Sequence, residues 1–160
     1  DIRFNVDSGL FRFVETMSPV TNLRGAAVLR GNSFTLNVPS ARLNNLALTN
    51  ASLELPRLKP KGALATIRTR VEGDARQLLE VLAQEPIGMR DSVPVEIASA
   101  TGRGAFNLTI QRPMLSEVPR EDWRFQVDGA IRDFAGNMRD RRVALSQGQL
   151  AVRGDQRSVT

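Results

Sequence analysis

The sequence predicts a mainly β fold, an antiparallel meander that forms a curved sheet with one short helix. Short segments throughout the chain alternate apolar and polar residues, so each strand has one apolar and one wet face. An apolar pattern also recurs at Leu29-x4-Phe34-x-Leu36, Leu48-x4-Leu53-x-Leu55 and Leu145-x4-Leu150-x-Val152. Each copy is interpreted as a β-hairpin, and hairpins repeated side by side predict an elongated array in which each unit covers its neighbour.

The predicted strands follow one another along the chain. Alternation occurs at 2–6, 34–38, 67–71, 106–110 and 123–127. It excludes a parallel sheet covered on both faces, whose strands would be apolar throughout. Residues that tolerate a left-handed backbone predict turns between strands. These predicted turns are Asp7-Ser8-Gly9, Gly31-Asn32, Asn44-Asn45, Asn50-Ala51-Ser52 and Gln147-Gly148.

One segment, at about 75–85, predicts a helix. Asp74 stands at its N-cap with Gln77 three residues later, and Pro86 ends it. Its narrow apolar stripe suits packing on a sheet or closing the end of a trough. The members of the stripe are Ala75, Leu78, Leu79 and Leu82.

The 160 residues are interpreted as a single β-rich segment of a longer protein. Residues 86–94 show no periodicity and predict a loop. A seam at 86–96 is expected to separate a first meander, 1–73 with the helix, from a second, 97–160. Because 152–159 is similar to 29–36, residues 152–160 look like a hairpin cut partway through. Unpaired strand edges would then favour edge-to-edge self-association.

Composition excludes several classes of function. The chain has no Cys and no His, so the commonest nucleophiles, general bases and zinc ligands are missing. Glu121-Asp122 is interpreted as a solvated turn, and Gly102-Arg103-Gly104 as the start of a strand and not a phosphate loop. The protein is therefore expected not to be an enzyme and to use no metal or cofactor.

The net charge of +5 admits nucleic acid or an anionic membrane as a partner. Nucleic acid is disfavoured, because the aromatic residues lie mostly on the apolar side of strands and not beside the arginines. No stretch reaches the roughly 18 apolar residues of a membrane span.

Several segments resemble a known family over about residues 4–153. They are the hairpin at 23–36, EGDARQLLEVLAQEPIG at 72–88, and the later GRGAFNLTI and FQVDGAIRDF strands. Together they resemble the domain of unknown function in large AsmA-like, YhdP-type envelope proteins of Gram-negative bacteria. The loop at 90–97 is shorter than in that family. The resemblance implies a curved, taco-like sheet that forms part of a repeating β-groove through the periplasm. It also implies an inner-membrane anchor elsewhere in the protein and phospholipid transport to the outer membrane.

The apolar strand faces are the predicted site for phospholipid acyl chains. Burial contributes about 0.8 kcal/mol per CH₂, so a continuous apolar trough needs no specific polar contact. Two alternatives stay open: the same residues form a closed core, or the chain is a non-catalytic scaffold that assists outer-membrane protein assembly through its sheet edges. The predicted lipid-facing residues are Phe4, Phe34, Leu36, Leu53, Leu55, Ile67, Val71, Phe106, Leu108, Ile110, Phe125 and Val127.

Overall fold

The computed structural model describes residues 1–12, 16–140 and 144–155. These residues form one antiparallel sheet of eight strands in chain order, with one helix between the fifth and sixth strands. The predicted mainly β meander with a single α-helix is thus confirmed. The strands are β1 (Ile2–Phe11), β2 (Val20–Arg30), β3 (Ser33–Leu43), β4 (Leu46–Leu55), β5 (Leu64–Asp74), β6 (Thr101–Pro113), β7 (Arg124–Asn137) and β8 (Ala144–Asp155), and the helix α1 is Ala75–Ala83.

The strand register gathers the apolar residues on one face, which we call the inner face. Partners in successive strands form apolar rows across the sheet. One such row runs through Phe4, Ala27, Leu36, Leu53, Ile67, Ile110 and Phe125. Polar residues such as Arg68 and Asn107 occupy the opposite, outer face. Among the strands that the structure describes, β1 and β8 do not pair with each other, so the sheet stays open.

β-Bulges keep the apolar residues in phase along the strands. In β4, Leu48 and Leu53 differ in parity, and a strict alternation would place them on opposite faces. A register shift between Thr49 and Ser52 corrects the phase, and Asn50 within it has a φ of 49°. Such shifts also bend and twist the strand, which curves the sheet. Other residues with positive φ at register shifts are Ser8 in β1, Asn22 in β2 and Asp133 in β7.

The bulges overturn two of the three predicted hairpins. Residues 29–36 do form a hairpin, with Gly31-Asn32 between β2 and β3, but 46–55 is the single strand β4. The third copy also lies within one strand from residue 144 onward, and residue 143 is outside the described residues. A bulge and a tight turn both need a polar residue that tolerates positive φ between two apolar runs, so their sequences look alike.

Of the other predicted turns, one is a turn and the rest lie inside strands. Asn44-Asn45 connects β3 and β4, as predicted. Residues 7–9, 50–52 and 147–148 lie inside strands, so the turns predicted there are wrong. The hairpin predicted at 152–160 begins within β8, and residues 156–160 are outside the described residues.

Helix α1 ends at Ala83, two residues before the predicted end at 85. Leu78, Leu79 and Leu82 are buried, and the helix packs on β5 and β6. The N-cap is Asp74, as predicted, but its side chain makes no capping hydrogen bond. Its Oδ1 atom instead accepts a hydrogen bond from Arg103 Nη1 at 3.2 Å.

The segment after α1 contains two short 3-10 helices, Met89–Ser92 and Ile97–Ser99, the first within the predicted loop. β5 and β6 pair from Leu64 with Pro113 to Asp74 with Arg103. The strands before and after this segment are therefore neighbours in one continuous sheet. The division of the chain at 86–96 stays a prediction.

Leu79 provides a test of the packing of α1 on the sheet. Its side chain is 0% exposed, so Leu79→Ala should lower the free energy of unfolding by about 2–5 kcal/mol through lost burial and a residual cavity. The neighbouring Glu80 is exposed, and Glu80→Ala should leave chemical denaturation almost unchanged. Equal stability of the two variants would show that α1 is not docked.

Asn50 provides a test of the bulge in β4. Its positive φ disfavours a β-branched side chain, so Asn50→Val should cost about 1–3 kcal/mol. Asn50→Gly is the matched control, because glycine adopts this backbone without steric strain. In thermal unfolding, the Asn50→Val protein should have a Tm clearly below those of the wild-type and Asn50→Gly proteins. A valine variant as stable as the glycine variant contradicts the role given to this backbone conformation.

Candidate functional site: an apolar cleft on the inner face

The inner face contains an apolar cleft of about 120 Å³. Its floor comes from the first six strands, mainly β2 to β5, and Val81 of α1 contributes to one wall. The polar side chains in the lining are three hydroxyls, those of Ser18, Ser52 and Thr69. The cleft is therefore suited to hydrocarbon and offers few groups that could orient a polar ligand.

Residues 16–18, which precede β2, lie beside one end of this cleft. Phe11, Met17 and Ser18 line the cleft from this side. Thr16 Oγ1 donates a hydrogen bond to the carbonyl oxygen of Glu85 at 3.0 Å, just beyond α1. Asn44 Nδ2 donates to Ser18 Oγ at 3.2 Å, from the turn between β3 and β4. These two bonds hold Thr16 and Ser18 beside the residues that follow α1 and the β3–β4 turn, respectively.

The opposite end of the inner face is less covered. Leu36, Leu53 and Phe34 are half-buried there, and Phe4 on the edge strand is 47% exposed. The Phe4 and Phe34 ring centroids are 6.5 Å apart with an interplanar angle of 33°. We call this region the uncovered end. Apolar side chains at this end are thus only partly covered, although Phe34 and Leu53 also pack against the buried residues Leu55, Ala63 and Ala65.

The structure places all twelve predicted lipid-facing residues on the inner face, but in different environments. Phe4 and Phe34 lie at the uncovered end. Leu55 belongs to a small buried cluster with Ala63 and Ala65. Those buried in the main core together with α1, outside the cleft lining, are Phe106, Phe125 and Val127. Those that line the cleft are Leu36, Leu53, Ile67, Val71, Leu108 and Ile110.

Sequence reasoning missed the residues that complete the cleft from outside the predicted strands. Val81 lies on α1 three residues after Leu78, so the helical period could have identified it. Met17 and Ser18 gave no signal, because their position over the cleft depends on hydrogen bonds to residues far away in the sequence. Leu23 and Leu43 are buried in strands where the bulges interrupt simple alternation.

The charged residues of the sheet lie mainly on the outer face, away from the cleft. Arg68 Nη1 is 3.2 Å from Glu54 Oε1, and Arg153 Nε is 2.9 Å from Asp128 Oδ1. All four side chains are more than half exposed, so each pair contributes about 0–1 kcal/mol. These pairs are solvated surface contacts and do not form a polar site within the cleft.

The acidic pair Glu121-Asp122 and the glycine-rich segment 102–104 lie, as predicted, in an exposed turn and at the start of a strand. Glu121 and Asp122 are exposed in a short 3-10 helix, and Gly102 to Gly104 lie near the start of β6. In the described parts of the chain, no group of three or more acidic, His or Cys residues is arranged to hold a metal ion.

Comparison with known proteins assigns neither a family nor a function to this chain. No protein-family model, curated protein or solved structure matches this chain. Within residues 1–12, 16–140 and 144–155, no helix has the length and apolar character needed to cross a membrane. Function is therefore inferred from the inner face and its cleft.

Proposed function

We propose that this chain is a segment of a periplasmic lipid-conduit protein. It would support phospholipid transport between the inner and outer membranes, and so the barrier function of the outer membrane. The observation that carries the proposal is the apolar inner face, which contains a cleft with one uncovered end. The envelope location and the inner-membrane anchor are proposed from the resemblance to AsmA-like, YhdP-type proteins.

The lining of the cleft supports an acyl chain as the bound group. Each methylene buried there is worth about 0.8 kcal/mol before the costs of association are subtracted, so affinity would rise with the length of chain that the cleft covers. Ser18, Ser52 and Thr69 could donate or accept single hydrogen bonds, but they form no charged site for a headgroup. The cleft would therefore select hydrocarbon and leave the headgroup outside.

The covered end sets the orientation of the bound chain. The acyl chain enters beside Phe34 at the uncovered end, and its methyl terminus lies toward Met17 and Val81. Its headgroup stays outside the cleft, near the exposed loops at the uncovered end. This arrangement uses binding alone, so in this proposal the chain acts without a catalytic group or a cofactor.

A charge placed in the cleft tests lipid binding. Leu36 is half-buried in the lining, so Leu36→Asp should leave folding largely intact but abolish copurification of phospholipid, because an unpaired carboxylate in an apolar site costs several kcal/mol. Asn37→Asp, the next residue and exposed, is the matched control. Lipid extracted from the purified proteins is identified by mass spectrometry, and folding is checked by circular dichroism.

Two results would contradict the proposal. The first is a wild-type protein without bound lipid, and the second is a folded Leu36→Asp protein that retains it. Phe125→Asp is unsuitable for this comparison. Phe125 is only 7% exposed, so its replacement should unfold the domain whether or not lipid binds.

The edge strand β1 favours a second candidate function, a scaffold that pairs with other strands. The outer edge of β1 has no partner among the described strands, and Ile2, Phe4 and Leu10 are exposed on it. An added strand would extend the apolar rows of the inner face and satisfy backbone groups of β1. Pairing with β8 of a second copy would continue the antiparallel meander.

Phe4→Lys tests this edge pairing. An added strand would bury a lysine at position 4 among the apolar rows of the inner face, whereas a lysine at position 5 would stay solvated on the outer face. Phe4→Lys should therefore remain monomeric at concentrations where the wild-type protein associates, as measured by analytical ultracentrifugation. Asn5→Lys, on the outer face of the same strand, is the matched control for the added charge. Association that is equal in all three proteins excludes pairing through the apolar side of β1.

A further inference from the structure

Three connections meet at the uncovered end of the inner face. Leu58 N donates to the Asn32 carbonyl oxygen at 2.7 Å, and Lys59 N donates to Asn32 Oδ1 at 2.9 Å. These bonds join the β4–β5 connection to the β2–β3 turn. Gly62 N donates to the Met114 carbonyl oxygen at 3.2 Å, which joins the same connection to the residues that follow β6. We call the exposed residues on these connections the basic tip; they are Arg57, Leu58, Lys59, Lys61, Met114 and Leu115.

The basic tip presents large apolar side chains to solvent. Leu58, Met114 and Leu115 are 37%, 42% and 46% exposed. The Leu115 carbonyl is held by Arg112 Nη2 at 2.8 Å, so this part of the tip is anchored to β6. Single exposed aliphatic residues are common, but a group of them on adjoining loops marks an interaction surface.

The same surface carries three cations. Arg57, Lys59 and Lys61 are exposed, and the two lysines are the only ones in the sequence. Among the ion pairs of the described residues, none involves these three side chains. Glu117, exposed in the adjoining connection, is the nearest acidic residue in sequence after Leu115. Cations interleaved with aliphatic side chains are the composition of surfaces that bind anionic lipid.

We propose that the basic tip docks this end of the domain on an anionic bilayer. Arg57, Lys59 and Lys61 contact lipid phosphates, while the aliphatic side chains enter the headgroup region. A bilayer matches both features at once, because its anionic phosphates pair with the cations and its headgroup region accepts the aliphatic side chains. Docking goes beyond the proposed acyl-chain binding and does not require a loaded cleft. Where both hold, docking brings the uncovered end of the cleft to the membrane.

Vesicle cosedimentation tests the docking. The wild-type protein should bind vesicles of phosphatidylcholine with phosphatidylglycerol, bind phosphatidylcholine vesicles far less, and dissociate as salt is raised. The triple variant Arg57→Gln, Lys59→Gln, Lys61→Gln should bind on the order of 100-fold more weakly, from about fivefold for each cation. Leu58→Ser with Leu115→Ser should also weaken binding, although it leaves the net charge unchanged.

A matched control separates docking from net charge. Arg24, Arg42 and Arg76 are exposed and lie outside the basic tip, so their triple replacement by Gln removes the same charge and should retain most of the binding. Equal loss in the two triple variants overturns the proposal. Absence of vesicle binding by the wild-type protein also overturns it, including when the protein binds polyglutamate instead.

The docking test is independent of the test of the cleft. Leu36→Asp should still bind anionic vesicles, because Leu36 lies in the cleft lining and not on the tip. The triple variant of the tip should still copurify with lipid if the cleft binds acyl chains. Failure of one proposal can thus be distinguished from failure of the other.

Discussion

The register of the eight strands is the constraint on which the rest of this structure depends. A slip of one residue would turn the apolar side chains of a strand to the outer face, because the side-chain period of a strand is two residues. Strands of ten to fourteen residues must hold this phase over their whole length. Bulges at Ser8, Asn22, Asn50 and Asp133 make that possible, and they curve the sheet at the same time.

The size of the inner face explains why a cleft exists. Eight strands about 4.8 Å apart make a sheet about 34 Å wide, whereas the nine residues of α1 span only about 13 Å. One such helix can cover β5 and β6 but not the whole apolar surface. The β1–β2 connection covers part of the remainder through Met17. Because these two elements do not reach Leu36 and Leu53, both side chains stay half-buried.

The structure therefore combines a packed core with an apolar surface that is only partly covered. Phe106 and Val127 are buried in the core with α1, while Ile67, on the same face, is half-buried in the cleft. A closed core therefore describes one part of this sheet, and the partly covered part is the one to which the proposed trough refers. The proposed roles in acyl-chain binding, edge pairing and bilayer docking all concern apolar groups that α1 does not cover.

The sequence by itself determined the features that depend on near neighbours. The alternation at 34–38 and 106–110 identified strands and their inner residues, and the helical period of Leu78 and Leu82 identified α1. Tertiary structure decided whether a polar residue between apolar runs makes a turn, as at Asn32, or a bulge, as at Asn50. It also brought Met17 to the cleft and Leu58 beside Asn32. Local patterns fix which way a side chain points along a strand, but these arrangements depend on hydrogen bonds between residues distant in the sequence, which no local pattern records.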